Sequence, residues 1–179
     1  ILKPVARGYK TVMPTQARIG IRNFFSNVTT PVRLVNCTLQ GDFEGAGLEL
    51  GRFGVNTTWG IAGLGDPARH KLGWAKQHED TGQTFGRYGI GSGIYLNWPL
   101  LGPSNLRDTV GAVGDSLLDP VTYIGNPDGL RLGLRATERI NGTSLRLGEY
   151  EDFKASALDP YVSLRNAYEQ ARRRLIEQR

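Results

Sequence analysis

Nineteen consecutive residues, Tyr88 to Leu106, carry no charge and yet cannot form a membrane-spanning helix. Their number is close to the roughly 20 apolar residues that a spanning helix needs. Pro99, Pro103, Asn97 and four glycines (Gly89, Gly91, Gly93 and Gly102) interrupt them. In hydrocarbon, backbone groups freed by such residues find no water. Irregular chain at that depth must be covered by protein or line a wet cavity. Ordinary surface loops are shorter and more polar. Tyr88, Tyr95 and Trp98 add amphipathic rings suited to a membrane interface. The segment reads as a bent element that lines a cavity or touches lipid.

The rest of the chain reads as helices, and 179 residues fit one domain over 1–179. Pro14 and Thr15 open a helix carrying Ile19, Ile21, Phe24 and Phe25. Thr29 caps the next, with Pro31 in its first turn, and Gly41 ends it. Asp42 caps a third helix from Phe43 to about Asn56; its four glycines need closely packed neighbours. Residues 68–82 read as polar and exposed. Ser104 is placed as the cap of a helix carrying Asp108, Val110, Val113 and Leu117, stopped by Pro120. Another helix runs from Asp128 to about Leu147 with its arginines on the wet side. Asp159 and Pro160 start the last, whose stripe is Tyr161, Leu164, Tyr168, Ala171 and Leu175. Strict alternation is nearly absent, so the fold class is all-α with irregular Gly/Pro segments.

No catalytic or metal pattern stands out. His70 and His78 are eight residues apart, which is not a metal-ligand spacing. Glu149, Glu151 and Asp152 sit in a solvated run. Gly89-x-Gly91-x-Gly93 has part of a phosphate-loop spacing, but Pro99 breaks any helix that should follow. Ser92 and Ser104 keep open a lipid-hydrolysing enzyme, although neither sits in a Gly-x-Ser-x-Gly elbow. Cys37 reads as a buried small hydrophobe. The net charge of +5 and the run Arg172-Arg173-Arg174 admit a nucleic-acid partner. Aromatic and basic residues are not interleaved on one face, and no nucleic acid is expected.

Short motifs spread in order along the chain resemble the MlaA (VacJ) family of outer-membrane lipoproteins. They are Leu2-Lys-Pro-Val-Ala, Gly20-Ile-Arg-Asn-Phe-Phe-Ser-Asn, Asn36-Cys-Thr-Leu-Gln40-Gly and Arg52-Phe-x-x-Asn56-Thr-Thr-x-Gly60. Phe85-Gly-Arg-Tyr-Gly-Ile-Gly-Ser-Gly-Ile-Tyr, Pro99-Leu-Leu-Gly-Pro-Ser and Arg107-Asp108 follow. Asp159-Pro-Tyr161-x-x-x-Arg165-x-x-Tyr168 closes the series. The family often has proline where this chain has Ile94.

The resemblance implies a ring of amphipathic helices around a central channel, apolar outward and mixed inward, with the Gly/Pro segment as a hairpin-like element. It implies removal of mislocalised phospholipid from the outer leaflet of the bacterial outer membrane. A periplasmic carrier protein receives the lipid, and outer-membrane lipid asymmetry is maintained. Implied partners are phospholipid, a trimeric outer-membrane porin, the carrier and the inner leaflet of the outer membrane. No cofactor, metal or enzymatic activity is implied. An N-terminal lipid anchor and a polar C-terminal tail are expected outside the chain. Tyr88, Gly89, Gly91, Gly93, Tyr95, Pro99, Gly102 and Pro103 become the channel wall and hinge. Phe24, Phe25, Phe53, Trp59 and Trp98 are placed on lipid-facing or interhelical surfaces.

Overall fold

A computed structural model describes residues 2–99, 101–124, 128–149 and 159–177. Helices α1 (Leu2–Val12), α2 (Thr15–Val28), α3 (Thr30–Leu39), α4 (Phe43–Thr58), α5 (Pro67–Leu72) and α6 (Thr81–Arg87) come first. Strands β1 (Tyr95–Trp98) and β2 (Gly102–Asn105) then pair antiparallel, with Tyr95 opposite Asn105 and Trp98 opposite Gly102. Helix α7 (Leu106–Leu118), a 3-10 turn (Pro120–Tyr123), α8 (Asp128–Leu145) and α9 (Pro160–Glu177) complete the chain. Glu151 and Asp152 lie outside the described residues.

Local chemistry explains most boundaries. The Asp42 carboxylate accepts from the Gly45 amide, and Asp159 accepts from the Tyr161 and Val162 amides. Two expected caps differ. The Thr29 hydroxyl turns back to the Phe25 carbonyl at 2.9 Å instead of capping α3. Ser104 belongs to β2, and the cap of α7 is its neighbour Asn105, which accepts from the Asp108 amide at 2.8 Å.

The packing is inverted relative to a water-soluble domain. Among the described residues, eighteen polar or charged side chains are buried against seven apolar ones. Helix α4 shows why. Glu49, Arg52 and Asn56 recur on one face and are buried, while Phe43, Leu50 and Phe53 face outward. Helix α7 repeats the arrangement, with Leu106, Val110, Val113 and Leu117 exposed and Arg107, Asp108 and Gly111 buried. A helical apolar stripe normally marks the core side; here it marks the outside.

Buried polar groups are tolerated because they bond one another. Arg33 donates to Glu49 at 2.7 Å, and Glu49 accepts the Gln77 amide at 2.7 Å. Arg52 donates to both Asp66 oxygens at 3.1 Å and to the Trp74 carbonyl. These bonds lay residues 73–80 against α4. The expectation that residues 68–82 are exposed therefore holds only in part: Arg69 to Gly73, Ala75 and His78 are exposed, whereas Ala68, Gln77, Glu79 and Gly82 are buried.

The glycines expected to draw α4 against its neighbours do so only at Gly51, which faces Trp74; Gly47 and Gly54 face open space. Close approach occurs instead between α6 and α7. A Cβ on Gly111 would stand 2.4 Å from the Gly82 backbone nitrogen.

The elements also close a circuit. Helix α8 packs on α1 and α2, α2 on α3, α3 on α7, α7 on the 3-10 turn, and that turn on α8.

Candidate functional site

A cavity of about 710 Å³ is walled by residues of α1, α2, α8 and the turn of the hairpin. Six cations line it (Lys3, Arg22, Lys76, Arg135, Arg139 and Arg146) against two acids, Glu138 and Glu149. An adjoining space of about 500 Å³ shares Thr29, Lys76, Leu101, Arg135, Glu138 and Arg139 and runs on to Ala112, Asp115 and Ser116 of α7. Arg135 is partly neutralised by Asp119 at 2.7 Å and Glu138 at 3.6 Å. The wall of the larger cavity keeps a cationic excess, which suits a phosphate group.

Lys76 is the most perturbed of these cations. Burial, reinforced by the positive charge of Arg33, brings its ammonium down to about 8. It therefore remains mostly charged at neutral pH. Asp115, on the second space, is pushed above the usual carboxylate range by burial, against the bonds it accepts from Thr81.

The hairpin reaches this cavity with Leu101 and Gly102. Gly89, Gly93 and Gly102 hold positive φ of 84°, 68° and 89°, which glycine alone adopts without cost. Gly91 does not, and it has open space around it. Pro99 is exposed in the turn, and Pro103 sits opposite Asn97 in the ladder. Tyr88 is exposed and donates to the Leu39 carbonyl at 2.6 Å. Tyr95 lies inward against α9. At Ile94, where the family often has proline, the carbonyl accepts from the Leu106 amide at 3.0 Å.

Of the residues placed on lipid-facing or interhelical surfaces, Phe53, Trp59 and Trp98 are exposed. Trp98 also donates to Thr109 at 3.1 Å. Phe25 is interhelical and buried, with Phe24 set edge-on to it at 5.5 Å.

The motif residues form the polar frame. Asn36 accepts from the Thr84 hydroxyl at 2.7 Å, and Gln40 donates to the same hydroxyl at 3.0 Å, so α3 grips α6. Asn56 donates to Asp66 and accepts the Ala68 amide. Arg107 and Tyr168 both donate to Asp108, whereas Arg165 is exposed. The inward line of α9 runs through Tyr168, Arg172 and Ile176, not through Ala171 and Leu175. Polar partners on α6 and α7 attract the arginine that a purely apolar stripe passes over.

Sequence reasoning missed Lys76, Arg135 and Arg139 as wall residues. For Arg135 and Arg139 the legible signal was the arginine spacing on α8, which placed that face in water. Cys37 is fully buried. The Ser104 hydroxyl bonds with Thr109 and the Asn105 carbonyl rather than with an imidazole. His70 and His78 are both exposed. Among the described residues, no group of three or more His, Cys, Asp or Glu could hold a metal ion.

Comparison with known proteins places this geometry. The family model for MlaA lipoprotein matches residues 1–175. An "Intermembrane phospholipid transport system lipoprotein MlaA" of Shigella flexneri is 34% identical over 94% of this chain and 66% of its own length. The protein of the same name from Escherichia coli K12 is 33% identical with the same coverage. A Rickettsia felis protein is 34% identical over 99% of this chain and 70% of its own length. A solved structure described under "Structural basis for maintenance of bacterial outer membrane lipid asymmetry" has a TM-score of 0.83 at 32% identity. The match covers 99% of this chain and 88% of that one. With the motifs forming the interhelical frame, the family model spanning nearly all residues and the fold shared, this chain belongs to the MlaA lipoprotein family.

Proposed function

We propose that this protein carries phospholipid out of the outer leaflet of the bacterial outer membrane, through the cation-lined cavity, to a periplasmic carrier. The observation that carries the reading is the inversion of polarity: exposed apolar faces on α4 and α7 surround a buried polar interior and a basic cavity. Contiguous exposed apolar surface of this kind marks membrane or protein contact. Among the described residues, no helix is long and apolar enough to cross a membrane. The outward faces of α4 and α7 suit a chain embedded in one leaflet, held there with a lipid anchor. The closed circuit of helices supports a ring around a passage. Lipid headgroups would meet Arg139 and Lys76, and acyl chains would leave along apolar walls.

The hairpin is the movable wall of this passage, hinged at Gly89, Gly93 and Gly102. A trimeric porin covers part of the outward apolar surface. The chain acts without chemistry on the lipid, in keeping with the transport-system name of its relatives.

Complementation tests the reading. Cells lacking their own family member would receive the full-length lipoprotein or its Arg139→Glu variant. Outer-leaflet phosphatidylethanolamine would be measured by an amine-reactive surface label. The parent should restore a low level and the variant should not. Equal restoration by both would remove the basic wall from the account.

A further inference from the structure

We propose that α9 is a latch that fixes the position of the hairpin, clasping Tyr95 with Tyr161 and Tyr168 while Arg172 fastens the helix to Asp80 and Asp108. A two-stranded hairpin is marginal by itself and needs a surface to pack on. Helix α7 continues from β2 and supplies part of that surface. The other part comes from α9, which lies more than fifty residues further along the chain and packs on β2.

The contacts are few and specific. The Tyr95 ring stands edge-on to Tyr161 at 5.7 Å and to Tyr168 at 6.3 Å. Both separations lie in the range where aromatic rings attract through edge-to-face geometry. Asn105, the last residue of β2, donates to Glu169 at 3.4 Å. Arg172 makes a fork onto Asp80 at 2.6 and 2.8 Å and a further bond to Asp108 at 2.9 Å. Tyr168 donates to the other Asp108 oxygen at 2.7 Å. Arg107 shares that carboxylate, and its amide bonds the Ser92 carbonyl at the base of the hairpin. One carboxylate thus links the latch helix to the stem it holds.

The arrangement is built to release. Helix α9 buries none of its residues completely; its inward side chains Leu164, Tyr168 and Ile176 are half-buried. The Tyr95 hydroxyl is buried without a hydrogen-bond partner. Such a group regains its bond to water when the hairpin swings away. The docked hairpin is held against that penalty by the three rings and the Arg172 fork. That hairpin position governs lipid passage rests on the function proposed above; that α9 sets the position does not.

Pulsed electron spin resonance on the full-length lipoprotein in phospholipid nanodiscs tests the latch. Spin labels would be placed at Asn97→Cys on β1 and Thr38→Cys on α3, both exposed positions. Cys37 is fully buried and leaves the labelling selective. The parent should give one narrow distance distribution. Arg172→Ala and Arg172→Lys should broaden it, because a lysine cannot make the planar two-point bond. Tyr161→Ala should broaden it with unchanged helical circular dichroism, and Tyr161→Phe should restore the narrow peak. If Arg172→Ala does not fold, Tyr161→Ala decides the matter. Narrow distributions in every folded variant would overturn the latch. Broad distributions with unchanged outer-leaflet phospholipid would leave the latch standing and remove the hairpin from lipid gating.

Discussion

Arg33 on α3 and Glu49 on α4 meet at 2.7 Å with side-chain exposures of only 8% and 0%. The same carboxylate accepts the Gln77 amide at 2.7 Å and lies 3.7 Å from Arg52, so one group joins two helices to the extended segment at 73–80. Burial pulls the Arg33 guanidinium below its ordinary value despite the adjacent charge of Glu49. Breaking a buried pair from one side strands a charge and costs about 3–5 kcal/mol. Glu49→Ala should lower stability by about that amount in chemical denaturation. The double variant Arg33→Met with Glu49→Leu should recover part of the loss; a larger deficit in the double variant would contradict this account of the frame.

Glycines in this chain divide into two kinds, and substitutions should separate them. Gly111→Ala forces a Cβ to within 2.4 Å of the Gly82 backbone nitrogen and should be strongly destabilising. Gly47→Ala and Gly54→Ala face open space in the middle of α4 and should each stabilise by about 0.5–1 kcal/mol. Melting temperatures of the detergent-solubilised variants check both signs.

How much of this was legible follows from which forces are local. The caps at Asp42 and Asp159 were, because a side chain bonding an amide two or three residues on depends on sequence alone. Asn105 was missed for Ser104 because both are capping residues and only strand pairing, which places Ser104 opposite Leu96, separates them. Gly102 and Pro103 are poor strand formers and concealed β2. Periodicity gave the stripe on α7 but not its direction, since the same spacing serves a core in water and a belt in lipid. Lys76 was hidden in a segment that reads as exposed, because the bonds from Glu49 and Arg52 that hold it in are long-range.

Hairpin glycines should behave unequally. Gly93 holds φ of 68°, and a Cβ there would stand 3.0 Å from the Leu106 Cβ. Gly93→Val should distort the stem and raise outer-leaflet phospholipid severalfold in complemented cells. Gly91→Ala, with ordinary φ and free space, should leave both stability and lipid levels unchanged. Surface labelling of phosphatidylethanolamine reads the difference, and equal effects would remove backbone geometry as its cause.

Lys76 gives the cavity a pH dependence with two opposite signs. Its ammonium titrates at about 8 when folded and near 10.5 when unfolded. Between those values the unfolded chain binds more protons, so stability should rise as pH increases through 8. Over the same step the cavity loses a positive charge. Binding of a short-chain phospholipid should therefore weaken between pH 7 and pH 9, and the Lys76→Met variant should show neither trend. Titration calorimetry and denaturation across this window check the pair.

Site-specific photo-crosslinking separates a lipid passage from mere contact with a membrane. A photoreactive amino acid would replace Ala112, which lines the space adjoining the cavity, or Val113, its neighbour on the outward face of α7. After irradiation of intact outer membranes, mass spectrometry would identify adducts. The account holds that both positions yield phospholipid adducts, and that the adduct at residue 112 disappears when Arg139→Glu is introduced while that at 113 persists. Adducts at residue 113 with none at 112 would contradict it, leaving a protein that sits in the membrane without carrying lipid through its interior.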